Sequence, residues 1–379
     1  MSKVLVLESS YESCREDIGQ VFTTFPMDLK NKRVVVKVNA NKACNPDKEA
    51  HATHYKLLEA VLEKIAEMNP KQILVGDSVG TAGYGDTDGV FETLRFREVA
   101  GPYYKNFNKS LTLVEIERPV KHRIAVLRDI LEADVYISLP KMKTHGLMVI
   151  TGAMKNNIGL IAGAQKAWFH YSLKDLELFA QLIVEMYQLR KPDLFIMDAI
   201  MAMEGYGPAS SEIKWVNKIL AAEDGVALDT VMAKIAGVPV DRVPYLCIAR
   251  EMALGKSEMS DIEVIGDAST IPDYKWPTER ASSTYSYRSG LDTGRTSREY
   301  FRQRIAYRPV ISKNLCLQGC FECIDACLFG ALSLGVDGPL LNSSLCTSCC
   351  ACKETCEHGA IELKPDELVL RALIEEETT

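Results

Sequence analysis

The 379-residue chain carries a net charge of −7, and 47% of its residues are hydrophobic and 25% charged. This balance is typical of a soluble globular protein, and the length predicts two or three domains. The negative charge argues against nucleic acid or an anionic membrane as a partner of the whole surface. No apolar run reaches the roughly 18 residues of a membrane span, and the apolar N-terminal stretch is too short for a signal peptide. We therefore expect a cytoplasmic protein with no membrane span.

Short β-branched runs alternate with amphipathic stretches over the first 265 residues. The predicted strands are Val4–Leu7, Val34–Val38, Ile73–Val75, Leu113–Ile116, Val135–Leu139, Leu194–Met197 and Ile262–Ile265. Apolar residues recur at helical spacing in Thr53–Met68, Leu173–Leu189 and Gly225–Ala236. Alternation of strands and helices predicts an α/β domain over residues 1–270, with a mostly parallel sheet and flanking helices.

A group of cations follows the predicted strand that ends at Leu139. Residues 135–174 contain five lysines, two histidines and no acidic residue. Ligands bind at the carboxyl ends of parallel strands, and lysines with asparagine side chains and glycine N–H groups suit phosphate or carboxylate. We expect an anionic small molecule held by Lys141, Lys155, Asn156 and Lys166, with Lys143, His145 and His170 as candidates for proton transfer. A merely solvated lysine face is the alternative.

Other strand ends add further candidates to this site. Lys37 and Asn39 end one predicted strand, and Asp77 follows the next, so all three can join the anion site. Glu204 follows a further strand and is a candidate for proton transfer, although a plain turn explains it equally well. The glycine-rich loop after Asp77 is similar to a phosphate cradle, but it fits neither the Walker pattern nor the dinucleotide fingerprint.

The character of the sequence changes between residues 271 and 310. From Tyr274 to Arg308 there are eight lysines and arginines against three acidic residues, with aromatic residues interleaved. This composition predicts a connector that packs on both neighbouring domains. Its arginines can face the acidic segment that follows, which has six acidic residues against three lysines between positions 311 and 364. A nucleic-acid surface is the less favoured alternative.

Nine of the twelve cysteines lie between positions 316 and 356. They form two quartets about thirty residues apart, namely Cys316, Cys320, Cys323 and Cys327, then Cys346, Cys349, Cys352 and Cys356. The second quartet has the ligand spacing of bacterial two-cluster ferredoxins, in which the fourth cysteine of each run binds the other cluster. The spacing therefore predicts two [4Fe–4S] clusters in a small α+β domain of bacterial ferredoxin type over residues 311–364, followed by an acidic tail at 365–379.

Because the fourth cysteine of each run binds the other cluster, one cluster is assigned to Cys316, Cys320, Cys323 and Cys356. The other is assigned to Cys327, Cys346, Cys349 and Cys352. Two features depart from the usual pattern. The gap from Cys316 to Cys320 is one residue longer, and Leu328 and Glu357 stand where a proline commonly follows the fourth cysteine. Cys350 is left over. Two tetrahedral zinc sites are the alternative.

The chain resembles the DUF362 family. The resemblance covers about residues 30 to 265 and is carried by Lys37-x-Asn39, Val75–Ser78, Leu139–His145, Thr151–Asn156, Met203–Pro208 and Glu223-Asp224. Many members of that family end in a two-cluster ferredoxin domain, so the resemblance implies this architecture, whereas the family name implies no particular reaction. Over a short stretch the lysine and histidine pattern is also similar to lactate racemase-type nickel enzymes.

These patterns favour an iron–sulfur oxidoreductase. Its two clusters would relay electrons from a donor such as a ferredoxin or a flavoprotein to the anion site of the α/β domain. The rival is a non-catalytic electron carrier or docking protein, and a lactate racemase-like enzyme is a minor alternative. A hydrolase or transferase with structural clusters finds no support, because no nucleophile elbow or metal-hydrolase motif is present.

Overall fold

The structure is a computed structural model that describes residues 1–80, 83–173, 175–208, 210, 212–278 and 297–378, and not the side chains of 297, 298 and 376–378. The middle of the predicted connector, with Tyr285 and Tyr287, lies outside these residues. None of the helices in the described ranges has the length and apolar character that a membrane crossing requires.

The α/β domain is built on one large mixed sheet. The strands of the domain are β1 Ser2–Glu8, β2 Arg33–Lys37, β3 Gln72–Gly76, β4 Leu111–Ile116, β5 His122–Leu127, β6 Val135–Ser138, β7 Lys141–His145, β8 Val149–Thr151, β9 Leu194–Met203, β10 Ile213–Ala222 and β11 Ile262–Gly266. The main order is β11-β1-β10-β9-β6-β2-β3, with β7 against β9 and β8 against β7. Five of the eight pairings are parallel, which confirms the predicted α/β class with a mostly parallel sheet.

Helices cover the sheet on both faces. They are α1 Cys14–Thr24, α2 Tyr55–Glu67, α3 Thr87–Thr93, α4 Phe96–Ala100, α5 Arg128–Leu131, α6 Ala153–Asn156, α7 Gln165–Ser172, α8 Leu176–Leu189, α9 Gly225–Ile235 and α10 Pro244–Glu251. Alternate residues of β2 enter different cores, Val34 and Val36 on one side and Val35 on the other. Burial of each such side chain stabilises the fold by about 1.5–3 kcal/mol, and strands buried on both faces read as the continuous apolar runs seen in the sequence.

Two segments lie elsewhere in the structure than the sequence predicts. The predicted strand Leu113–Ile116 is part of β4, but β4 pairs only with β5 among the described strands, in a separate hairpin. The polar segment Lys141–His145, expected to follow a strand end, is itself a fully buried strand. It can be buried because its lysines find internal partners.

The elements of the C-terminal module are α11 Ser297–Ile305, β12 Tyr307–Ile311, α12 Glu322–Asp325, β13 Leu332–Gly335, β14 Gly338–Leu341, α13 Ala351–Thr355, β15 Ile361–Pro365 and α14 Glu367–Thr378. The strands form two small antiparallel sheets, β12 with β15 and β13 with β14. The module is seated on the α/β domain through buried polar contacts. Glu354 accepts hydrogen bonds from the Thr87 hydroxyl at 2.7 Å and from the Asn106 amide at 2.9 Å.

Candidate functional site

Lys37 ends β2 and is fully buried. Its Nζ lies 2.8 Å from Asp77 Oδ1 at the end of β3 and donates to Asn156 Oδ1 at 3.3 Å. Burial lowers the pKa of Lys37, and the charge of Asp77 opposes that shift. Asp77 also accepts from the backbone N–H groups of Ala40 and Ser78, both at 2.8 Å. The parallel pairing of β2 and β3 thus brings the predicted Lys37 and Asp77 together as a buried ion pair.

Lys141 begins β7 and forms a second buried ion pair. Its Nζ lies 2.7 Å from Asp198 Oδ2 and 2.9 Å from the Tyr11 hydroxyl. Asp198 also accepts from the His54 backbone N–H at 2.8 Å. Neither Lys141 nor Asp198 has any exposed side-chain surface. The charge of Lys141 is therefore balanced within the fold.

Lys143 follows two residues later on the same side of β7. Its Nζ donates to Asn39 Oδ1 at 2.5 Å and to the His51 carbonyl at 3.0 Å, and no carboxylate forms an ion pair with it among the described residues. Asn39 donates to Asn156 Oδ1 at 3.0 Å. Burial, together with the charges of Lys155 and Lys141, holds the pKa of Lys143 well below its ordinary value.

Lys155 lies on α6, only partly buried, and within the described part of the chain its ammonium group makes no hydrogen bond or ion pair. Desolvation lowers the pKa of Lys155 to about 8. Asp229 fixes the helix that carries it, because its carboxylate accepts from Ala153 N at 2.6 Å and Met154 N at 3.0 Å. Among the lysines predicted for the site, Lys155 is the one whose side chain is partly exposed and makes no hydrogen bond or ion pair within the described residues.

Of the two predicted histidines, His145 is buried and His170 is half-buried, and desolvation keeps both neutral. Leu147 N and Met148 N donate to His145 Nδ1 at 3.1 and 3.2 Å, so the proton of the neutral ring is on Nε2. Burial and the charge of Lys155 hold the pKa of His145 well below its ordinary value and lower that of His170 to about 3. His170 stacks on Phe301 with ring centroids 4.8 Å apart. Of these three side chains, Lys155 is therefore protonated near neutral pH, and the two histidines are not.

Lys166 lies at the edge of the site that faces the cysteine module. Its Nζ donates to Ser78 Oγ at 2.6 Å and to the Ser78 and Ile161 carbonyls at 2.9 and 3.0 Å. Burial lowers the pKa of Lys166 to about 7, although Asp77 favours the charged form. Next to it, Gly163 N donates to Ser78 Oγ at 3.3 Å, and Ala164 N donates to the Ser348 carbonyl at 2.9 Å. Residues 163–166 thus connect the lysine network to the cysteine module.

Glu204 and the glycine-rich loop make contacts that hold the fold together. The Glu204 carboxylate accepts from Lys275 N at 3.0 Å and so holds the start of the connector against the end of β9. In the glycine-rich loop, a Cβ on Gly76 would lie 2.5 Å from Phe107, and one on Gly80 would lie 2.1 Å from the Asn41 carbonyl oxygen. Protein atoms therefore occupy the space beside these two glycines that a phosphate would need.

The eight predicted cysteine ligands line two separate cavities. One is lined by Cys316, Cys320, Cys323 and Cys356, and the other by Cys327, Cys346, Cys349, Cys352 and the additional Cys350. Among the described residues, no three His, Cys, Asp or Glu side chains converge closely enough to hold a single metal ion. Four thiols around an apolar cavity fit a four-iron cluster, which is larger than an ion, better than tetrahedral zinc. The clusters themselves stay a prediction.

Sequence reasoning missed several residues that build the site. Tyr11 and His51 lie far from the lysines in sequence, and their roles depend on the sheet bringing β1 and the loop before α2 to β7. Ser78 joins Lys166 to Asp77. The position of Asp229 near the start of α9 gave no sign that it anchors α6. A polar residue directly beside a predicted strand end, such as Ser78, is the one signal that could have been used.

An α/β domain with a buried lysine network, joined to a module with two groups of cysteines, defines the class of this protein. The profile of the family described as a domain of unknown function, DUF362, matches residues 34–234, just over half of the chain. The chain belongs to the DUF362 family.

The thylakoid-associated protein sll1697 from Synechocystis is 29% identical over 231 residues, which cover 59% of this chain and 68% of that protein. One component of the ion-translocating oxidoreductase complex of Methanosarcina acetivorans is 46% identical over 50 residues, which cover 12% of this chain and 19% of that protein.

Two solved structures resemble parts of the fold. A Thermotoga maritima protein superposes with a TM-score of 0.36 at 13% identity, over 53% of this chain and 54% of that one. The lactate racemase apoprotein from Thermoanaerobacterium thermosaccharolyticum superposes with a TM-score of 0.40 at 12% identity, over 58% of this chain and 54% of that one. The chain thus spans about half the length of each.

Proposed function

We propose that this protein is an iron–sulfur oxidoreductase. Two [4Fe–4S] clusters, when bound by the two cysteine quartets, supply single electrons from a ferredoxin or flavoprotein donor. An anionic small molecule, bound at the strand ends of the α/β domain, receives them. The similarity of 50 residues to a component of an oxidoreductase complex supports a role in electron transfer.

The observation that carries the proposal is a continuous polar connection between the second quartet and the lysine network. Ser348, which lies between Cys346 and Cys349, accepts from Ala164 N, and the adjoining Gly163 N donates to Ser78 Oγ. Ser78 N in turn donates to Asp77, the partner of Lys37. The amides of Asn156 and Asn39 continue this connection to Lys143. A cluster held by Cys327, Cys346, Cys349 and Cys352 would therefore adjoin the site that it serves.

Lys155 and Lys143 are the groups best suited to hold the anion. Both are desolvated and neither has a carboxylate partner among the described residues, so an anionic ligand would gain charge-assisted hydrogen bonds from them. Asn39 and Asn156 orient Lys143 and Lys37. Lys155, with a pKa of about 8, is matched to proton donation near neutral pH. The Nε2–H group of His145 can donate a hydrogen bond to the anion, but the neutral ring adds no positive charge.

Anion binding by the full-length, anaerobically purified protein tests this site. Acetate and inorganic phosphate serve as carboxylate and phosphate probes in calorimetric titrations. Lys155→Gln should weaken binding by about tenfold or more, because hydrogen bonds to charged groups contribute about 1.5–3 kcal/mol. The control is Lys71→Gln on an exposed lysine, which should change nothing. Equal affinity in all three proteins would remove Lys155 from the site.

A second function, a non-catalytic electron carrier or docking protein, is favoured by one observation. Lys37 and Lys141 form buried ion pairs, and Lys166 donates its hydrogen bonds to Ser78 and the Ile161 carbonyl. These three lysines therefore serve the fold whether or not a ligand binds. The carrier function predicts clusters that reduce reversibly in a protein that binds neither probe.

A further inference from the structure

A third cavity lies between α7, α11, α14 and the cysteine module, and about 240 Å³ of it is accessible to water. This volume is just below the range of about 300–1,000 Å³ that drug-sized ligands occupy. It is distinct from the two cavities that the quartets line, and it is not part of the lysine network. It does, however, share Cys346 with the second quartet.

One wall of this cavity is aromatic. Trp168 stacks on His122, with ring centroids 4.4 Å apart and an angle of 7° between the planes. Phe169 meets Trp168 edge to face at 5.0 Å. Burial lowers the pKa of His122, which keeps this ring uncharged at neutral pH. A flat, uncharged wall of this kind favours an aromatic ligand, because offset and edge-to-face ring contacts add to the gain from apolar burial.

Two polar groups at the cavity have no partner within the described residues. Arg308 is buried, and its Nε and Nη1 atoms donate to Ser343, Ser348 and backbone carbonyls, which leaves Nη2 without an acceptor. The Thr347 hydroxyl is buried without a hydrogen bond. A buried hydroxyl is rarely left unpaired, and both the Arg308 Nη2 group and the Thr347 hydroxyl can donate to an oxygen acceptor. A ligand with carbonyl oxygens would satisfy them.

We propose that this cavity binds a flat aromatic ring with carbonyl oxygens, the chemistry shared by quinones and flavins, between the Trp168 wall and the Arg308 and Thr347 donors. Cys346 lines both this cavity and the cavity of the neighbouring cysteines, so a ligand ring bound here would lie next to those cysteines. A redox role for the ring rests on the proposed function, whereas its binding does not.

Calorimetric titration of the full-length, anaerobically purified protein with two probes tests the proposal. The probes are riboflavin 5′-phosphate and 2-methyl-1,4-naphthoquinone. Binding of the first alone identifies a flavin site, binding of the second alone identifies a quinone site, and binding of both identifies a site for the shared ring chemistry. Absence of binding by either probe overturns the proposal.

Variants locate the binding. Val369→Trp places an indole in the cavity and should weaken binding at least about tenfold, whereas Val336→Trp, at a fully exposed position of the same module, should not change it. Thr347→Val removes only the hydroxyl and should weaken binding by about fivefold, as the loss of one buried hydrogen bond does. If Val369→Trp does not fold, the affinity of Thr347→Val for the probes tests the proposal by itself. Unchanged affinity in the folded cavity variants overturns the proposal.

Iron and sulfide analysis of the same samples separates the two hypotheses. Probe binding by a protein without iron and sulfide contradicts the proposed function but retains the cavity site. Intact clusters without probe binding contradict the cavity site alone.

Discussion

Gly163 packs directly against the backbone of Cys349 in the cysteine module. It has a φ of +50°, and a Cβ there would lie 2.3 Å from the Cys349 carbonyl oxygen and 2.7 Å from its carbon. Gly163→Ala therefore adds two costs. A left-handed conformation costs a non-glycine residue about 1–2 kcal/mol, and displacement of a packed backbone costs about 1–3 kcal/mol more. We expect a total loss of about 2–5 kcal/mol, measured by guanidinium unfolding followed by circular dichroism.

Gly101→Ala is a matched control, because Gly101 has the same φ of +50° and a Cβ added there would meet no atom within 4 Å. It should lose only the conformational cost, about 1–3 kcal/mol for a backbone with φ of +50° and ψ of −121°. Gly163→Ala should also lose iron from the cluster site of Cys327, Cys346, Cys349 and Cys352, and Gly101→Ala should not. Equal destabilisation and equal iron content in the two variants would refute the close seating of the module on the domain.

Three further predictions concern charge and ligation. Binding of acetate should weaken as the pH rises from about 6.5 to about 9.5, because Lys155, with a pKa of about 8, loses the proton that attracts the anion, and titrations of Lys155→Gln should show no such dependence. Lys141→Met leaves the Asp198 carboxylate buried and unpaired and should reduce the free energy of unfolding by about 3–5 kcal/mol; a loss below about 1 kcal/mol in denaturant titrations would contradict the ion pair's role. Cys350→Ala should retain all iron and sulfide, whereas Cys349→Ala should lose about half, as measured by colorimetric analysis.

Periodicity predicted most of the central fold. Runs such as Val34–Val38 are apolar because both faces of the sheet are covered, and α2 and α9 begin and end within two residues of the predicted bounds. Asp224 caps α9, since its carboxylate accepts from Val226 N at 2.9 Å and Ala227 N at 3.1 Å. Strand β10 was not predicted. A bulge between Trp215 and Lys218 interrupts its alternation, and its antiparallel insertion between β1 and β9 depends on long-range pairing.

The residues of the site were easier to predict than their roles. Strand ends and local charge singled out Lys37, Asp77, Lys143 and Lys155, and the sheet brings the first three into one hydrogen-bonded network with Asn39. Sequence could not show which lysines have buried carboxylate partners, because those partners come from distant strands. Nor could it show that burial keeps His145 neutral, since a pKa depends on the packed surroundings.

The central claim is that the two cysteine quartets hold iron–sulfur clusters. Anaerobic purification of the full chain, followed by iron and sulfide analysis and EPR of the dithionite-reduced protein, tests it most directly. The proposed function predicts about eight irons and about eight sulfides per chain, with the spectra of two interacting reduced clusters. Zinc without sulfide would contradict it and would leave a structural metal module attached to an anion-binding α/β domain.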